Sequence, residues 1–136
     1  MTDFSNVDIC DGGRNKDGVR LLRGEVTSAN LLGFEVGTTG YCGGDASHGG
    51  RTFFRIFDEG GTSMRATSDD DDLRVELGGD CELDTIIVAL KSIALILEAS
   101  AHLGTASPSR INALMKAQTR TYLDGPICQC FAEILG

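Results

Sequence analysis

The residues best placed to do chemistry lie in one stretch, Gly37-Thr38-Thr39-Gly40-Tyr41-Cys42-Gly43-Gly44-Asp45-Ala46-Ser47-His48-Gly49-Gly50-Arg51-Thr52. Its glycines permit the positive-φ turns that let backbone N–H groups converge on an anion. Hydroxyls of Thr38, Thr39, Ser47 and Thr52, the Gly43 and Gly44 backbone and the Arg51 guanidinium could complete such a cradle. The stretch is not a P-loop, because no Gly-Lys-Ser/Thr follows, and it is not the dinucleotide fingerprint between strand and helix. It is also longer than the dozen or so residues beyond which a loop in a compact domain is usually functional or disordered. A long hairpin loop without a ligand is the alternative reading.

The segment that follows adds a second candidate. On an extended chain Arg51, Phe53, Arg55 and Phe57 share one face, while Thr52, Phe54 and Ile56 share the other, which reads as core. Guanidiniums offer bidentate contacts to phosphate and aromatic rings stack on bases, so this face could hold a small nucleotide, with Arg65 or Arg74 joining from neighbouring strands. The competing expectation pairs these arginines across strands with Glu35, Asp58 or Glu76. For catalysis, His48 is the only histidine of the Gly-rich stretch and the candidate that titrates near neutral pH, with Asp45 three residues before it as the second positioned group. Asp80, also after a Gly-Gly pair, is the other acid considered. His102 reads as structural. The acidic run Asp69 to Asp72 reads as a solvated turn, since consecutive carboxylates on an extended turn point in different directions. No metal and no cofactor are expected.

These residues need elements to hold them. Val19 to Ser28, Leu31 to Gly37, Arg51 to Phe57, Thr62 to Thr67 and Asp72 to Leu77 read as strands joined by short turns, which argues for an antiparallel sheet. In the last of these segments Leu73, Val75 and Leu77 alternate with Asp72, Arg74 and Glu76, one dry face and one wet face. After Gly78-Gly79 the period changes. A first helix is expected from about Cys81 to Leu103, capped by Asp80, and a second starts at Ser107-Pro108 and runs to about Gln118. Between Ile86 and Leu97 only Lys91 and Ser92 are polar, so the first helix is strongly apolar and its spare face should meet the second helix or another copy of the chain. The fold class expected is therefore α+β, an antiparallel sheet of about four to six strands followed by two helices. Residues 1–18, rich in Asp and Gly, read as an irregular N-terminal arm on a single domain spanning 19–136; residues 127–135 are ambiguous between strand and helix.

Bulk properties narrow the function classes. A chain of 136 residues is most economically one domain. Its net charge of -8 would repel a long polyanion, which excludes a general nucleic-acid coat protein. The apolar run of the first helix falls short of the about 20 residues a membrane span needs. Five cysteines without a CxxC pair, and a start without an apolar signal stretch, point to a reducing cytoplasm and to idle thiols.

The strings Gly37 to Asp45, His48-Gly49-Gly50-Arg51-Thr52 and Leu77-Gly78-Gly79-Asp80-Cys81-Glu82-Leu83 resemble a group of small phage and prophage proteins, over roughly Gly37 to Glu98. The resemblance implies a mobile-element origin, and hence the cytoplasm of an infected bacterial host, but no catalytic assignment. A small sheet, two helices and an apolar, oligomer-forming helix are also similar in layout to phage anti-defence sponges, which sequester cyclic nucleotide or cyclic ADP-ribose signals. The function expected is thus sequestration of a small phosphate-bearing nucleotide by a homo-oligomer. Its ligand-binding residues would be Thr38, Thr39, Gly43, Gly44, Ser47, His48, Arg51, Phe53 and Arg55. A phosphodiesterase-type hydrolase using His48, and a structural or host-protein-binding oligomer, are the alternatives.

Overall fold

The structure, a computed structural model, describes residues 3–41 and 50–123. The chain forms β1 (Val7–Arg14), β2 (Arg20–Thr27), β3 (Leu31–Thr38), β4 (Thr52–Gly60), β5 (Met64–Asp69), β6 (Asp72–Leu77), α1 (Asp80–Ser100) and α2 (Pro108–Leu123), in that order. The first four strands make an antiparallel meander, β1-β2-β3-β4, and β5 pairs only with β6 in a separate ribbon. The α+β class and the order of sheet before helices are as the periodicities indicate.

The meander buries one face because its inward residues are the apolar ones. The register sets Ile9 against Gly24, Gly24 against Phe34 and Phe34 against Ile56, so these lie in one row across the sheet. Leu22, Val26, Leu32, Phe34 and Val36 are fully buried there. Gly24 makes the row possible, since a β-carbon at that position would fall inside the Phe34 ring. Ala89, Ile93 and Ile96 of α1 and Ile111 and Met115 of α2 close the core from that side. The start of α1 is tied to the sheet by Asn30, whose buried amide nitrogen donates to Thr62 Oγ1 (3.0 Å) and Thr85 Oγ1 (3.1 Å).

Several sequence expectations need correction. Residues 7–14 are an edge strand, not an irregular arm: Val7 and Ile9 face the core, Phe4 is buried beside them, and the Asp and Gly residues between are the solvent side and a bulge before Arg14. Helix α1 starts one residue earlier than expected and stops three earlier. Its N-cap is Gly79 rather than Asp80, and the cap makes no side-chain hydrogen bond. Phe54 is on the inward face yet 46% exposed, because α1 packs mainly on β3 and β2 and leaves the β4 end of the sheet uncovered. The expected dry face of β6 is wet: Leu73 is 63% exposed and Val75 39%, because the ribbon stands apart from the meander. Helix α2 continues beyond Gln118 to Leu123. No described helix is long and apolar enough to cross a membrane. Of the described cysteines, Cys10 is exposed and Cys81 half-buried, both as free thiols.

Candidate functional site

Two places collect the residues singled out from sequence, and they lie on opposite faces of β4. On the outer face, Arg55 ion-pairs with Glu35 directly across β3–β4, and Arg23 ion-pairs with Glu59. Both guanidiniums sit over the Phe57 ring, Arg55 at 4.3 Å and Arg23 at 5.0 Å from its centre. The ring lies down across the sheet because Gly33 opposite it has no β-carbon to hold it off. Arg55 therefore belongs to a cross-strand cluster in which each positive charge meets a carboxylate, leaving little net field for a phosphate, and Phe53 shares its face of β4 opposite Gly37. The pairing of Arg55 with Glu35 is the cross-strand alternative raised from the sequence. Arg74 ion-pairs with Asp72 on its own strand, and Arg65 and Arg74 belong to the separate ribbon, so neither extends the Arg55 face.

On the inner face, where β3 ends and β4 begins, an open cleft of about 410 Å³ is lined by Thr38, Gly40, Tyr41, Gly50, Thr52, Leu97 and Ala101. Its volume is in the range of small-ligand sites. Thr38 and Thr52 face each other in register, with their hydroxyls 2.9 Å apart. The Gly40 N–H donates to Thr38 Oγ1 (3.0 Å), so Thr38 is largely occupied in holding the chain's exit from β3. Of the two hydroxyl protons, one serves the mutual bond and the other takes no acceptor among the described residues. Thr39 has a different task. Its hydroxyl accepts from Arg51 N (2.9 Å) while its own N–H donates to Arg51 O (3.0 Å), which clamps the two ends of the Gly-rich stretch together. Arg51 itself is exposed at this neck.

The neck is also fastened to the helical layer. Tyr41 N donates to Ala101 O (2.6 Å), and Thr105 Oγ1 both accepts from Thr38 N (3.0 Å) and reaches the Arg20 carbonyl (2.6 Å). Gly40 has φ +83° and passes so close to the end of α1 that a β-carbon there would lie 2.7 Å from Ala101 O. Tyr41 and His102 meet edge to face, ring centres 5.4 Å apart, beside the cleft. The sequence reading treated His102 as structural and left Tyr41 without a role. Sixty-one positions separate them in the chain, and only the return of α1 over β3 brings them together.

The expected site is thus divided. Thr38 lines the cleft, Thr39 and Arg51 clamp its neck, and Phe53 and Arg55 are turned to the other side of the sheet. Gly43, Gly44, Asp45, Ser47 and His48 lie outside the described residues, as do Cys42, Cys128, Cys130 and residues 127–135. Among the described residues no group of three or more His, Cys, Asp or Glu side chains is placed to hold a metal ion.

Comparison with known proteins gives no further guide: no family model, no curated protein and no solved structure matches this chain.

Proposed function

We propose that this chain binds and sequesters a small phosphate-bearing nucleotide, without turning it over, in the cleft at the neck of the Gly-rich stretch. The observation that carries the reading is the cleft itself, with a spare Thr38/Thr52 hydroxyl proton on its wall and the Tyr41 and His102 rings beside it. Electrostatics orient the guest. The end of α1 at Ala101 presents carbonyl oxygens and the negative end of the helix dipole, which disfavours an anion. A phosphate therefore belongs toward Gly50 and Arg51, and the sugar or base toward Tyr41 and Leu97. The resemblance to phage proteins makes a cyclic nucleotide immune signal in an infected bacterium the first ligand class to try.

A thermal-shift or calorimetric panel of cyclic dinucleotides, cyclic trinucleotides and ADP-ribose derivatives tests this. A true ligand at about 100 times its dissociation constant stabilises the fold by about 2.7 kcal/mol. Replacing Thr52 with Val should then weaken binding about tenfold, the worth of one hydrogen bond, while Arg55→Met should leave it unchanged. A panel with no shift, or a ligand lost with Arg55→Met but not with Thr52→Val, defeats the reading. Recovery of the small molecule after denaturation separates storage from hydrolysis. A cleaved product that disappears in His48→Ala would favour a hydrolase using His48 and Asp45.

A structural or protein-binding role is the second reading, and the ion pairs of Arg23 and Arg55 favour it, since paired guanidiniums on a sheet face have no need of a ligand.

A further inference from the structure

Helix α1 carries a second apolar stripe besides the one it buries. Thr85, Ala89, Ser92, Ile93, Ile96 and Ser100 face the core. Leu83, Ile87 and Leu90 do not: they are 57%, 41% and 50% exposed, and Ala94 is exposed beside them. Their spacing is four, three, four, which Leu97 continues by a further three. That is the alternation of a coiled-coil seam, in which apolar residues recur every 3.5 positions on average. A helix that only covered its own sheet would have no use for it, and a run of large apolar side chains left in water on one helix face is a mark of an interaction site.

The charges beside the seam identify the occupant. Asp84 and Lys91 are both exposed, each follows a seam leucine by one residue, and they are one heptad apart. We propose that α1 docks on α1 of a second copy, antiparallel, about a two-fold axis near Ile87 and Leu90. Leu90 packs on the partner's Ile87 and Leu83 on the partner's Ala94, each twice by symmetry. In that register Lys91 of each copy faces the partner's Asp84. Sliding by one heptad toward the C-termini would set Lys91 against the partner's Lys91 and Asp84 against the partner's Glu98, so like charges exclude it. The contact does not depend on the ligand reading, because the cleft and the seam are tested by different variants.

Light scattering coupled to size exclusion, on the full chain, decides this. Wild type should run as a dimer at micromolar concentration. Ile87→Asp should run as a monomer with an unchanged far-ultraviolet spectrum. Lys91→Asp, a change at an exposed position, should keep the far-ultraviolet spectrum and weaken the dimer about tenfold, because two attractions become two repulsions. Asp84→Lys combined with Lys91→Asp should restore it. A wild-type monomer overturns the proposal, including one in which the stripe is covered by the chain's own residues 124–136. A dimer indifferent to Ile87→Asp, or a charge swap that fails to restore association, overturns it equally.

Discussion

Phe34→Ala should destabilise the fold by about 3 to 5 kcal/mol, the usual cost of deleting a buried aromatic side chain. Phe34 is completely buried at the centre of the meander, where Gly24 on one side and Ile56 on the other are its cross-strand neighbours. The cavity left behind cannot close easily, because the groups around the ring are backbone and strand-borne side chains held by the β2–β3 and β3–β4 ladders. A domain of this size has only about 5 to 15 kcal/mol in hand, so the variant should lose a large share of its stability. Gly24→Ala should be costly for the opposite reason. Its β-carbon would enter the space of the ring, which must tilt out of its place in the row. Urea titration of both variants checks the pair. A loss below about 1 kcal/mol for Phe34→Ala, at an unchanged slope, would mean that the core does not turn on this ring.

Gly40→Ala should cost about 2 to 4 kcal/mol and remove ligand binding at the cleft. Two terms add. A non-glycine residue at φ +83° pays about 1 to 2 kcal/mol for the left-handed backbone. In addition the new methyl would lie 2.7 Å from the Ala101 carbonyl oxygen, which is backbone and cannot rotate away. The neighbouring Tyr41 N–H to Ala101 O bond would have to lengthen, withdrawing Tyr41 from His102 and opening the cleft. Calorimetric melting together with the nucleotide panel measures both consequences. A Gly40→Ala protein that melts like wild type would show that the neck is not held against α1 in this way. Gly104→Ala is a useful contrast, because Gly104 also has positive φ (+86°) but its β-carbon would meet no atom closer than 3.6 Å. It should show the backbone cost without the clash.

The fold was legible where one physical rule dominated. Alternation in Leu32, Phe34 and Val36, and the change to a helical period after Gly79, each follow from burying one side of one element. The edge strand β1 was harder to see. Its alternation of Val7 and Ile9 with Asp8 and Cys10 is present, but acidic residues and glycines are also the signature of an irregular arm, and only pairing with β2 decides between them. The same limit applied at Phe54, whose inward direction could be read from period two while its exposure could not.

For the site, local pattern and tertiary placement parted at β4. The face arithmetic placed Phe53, Arg55 and Phe57 together, and they are together. What the arginine meets there depends on which strand lies alongside and in what register, and that brought Glu35 to Arg55 and Glu59 to Arg23. Thr38 and Thr39 read alike as hydroxyls of one anion cradle, yet alternation at the strand ends turns the Thr38 hydroxyl to the inner cleft and uses Thr39 as a clamp on Arg51. Composition and periodicity thus determined the α+β class, the order of sheet and helices and the buried face of β3, because these depend on neighbours within a few residues. The tertiary structure alone decided which charges are neutralised, that Tyr41 meets His102 beside the cleft, and which residues of the spare apolar face of α1 stay in water. Those depend on partners far apart in sequence, whose meeting is set by strand register and by where a helix of fixed length lands on a sheet of fixed width.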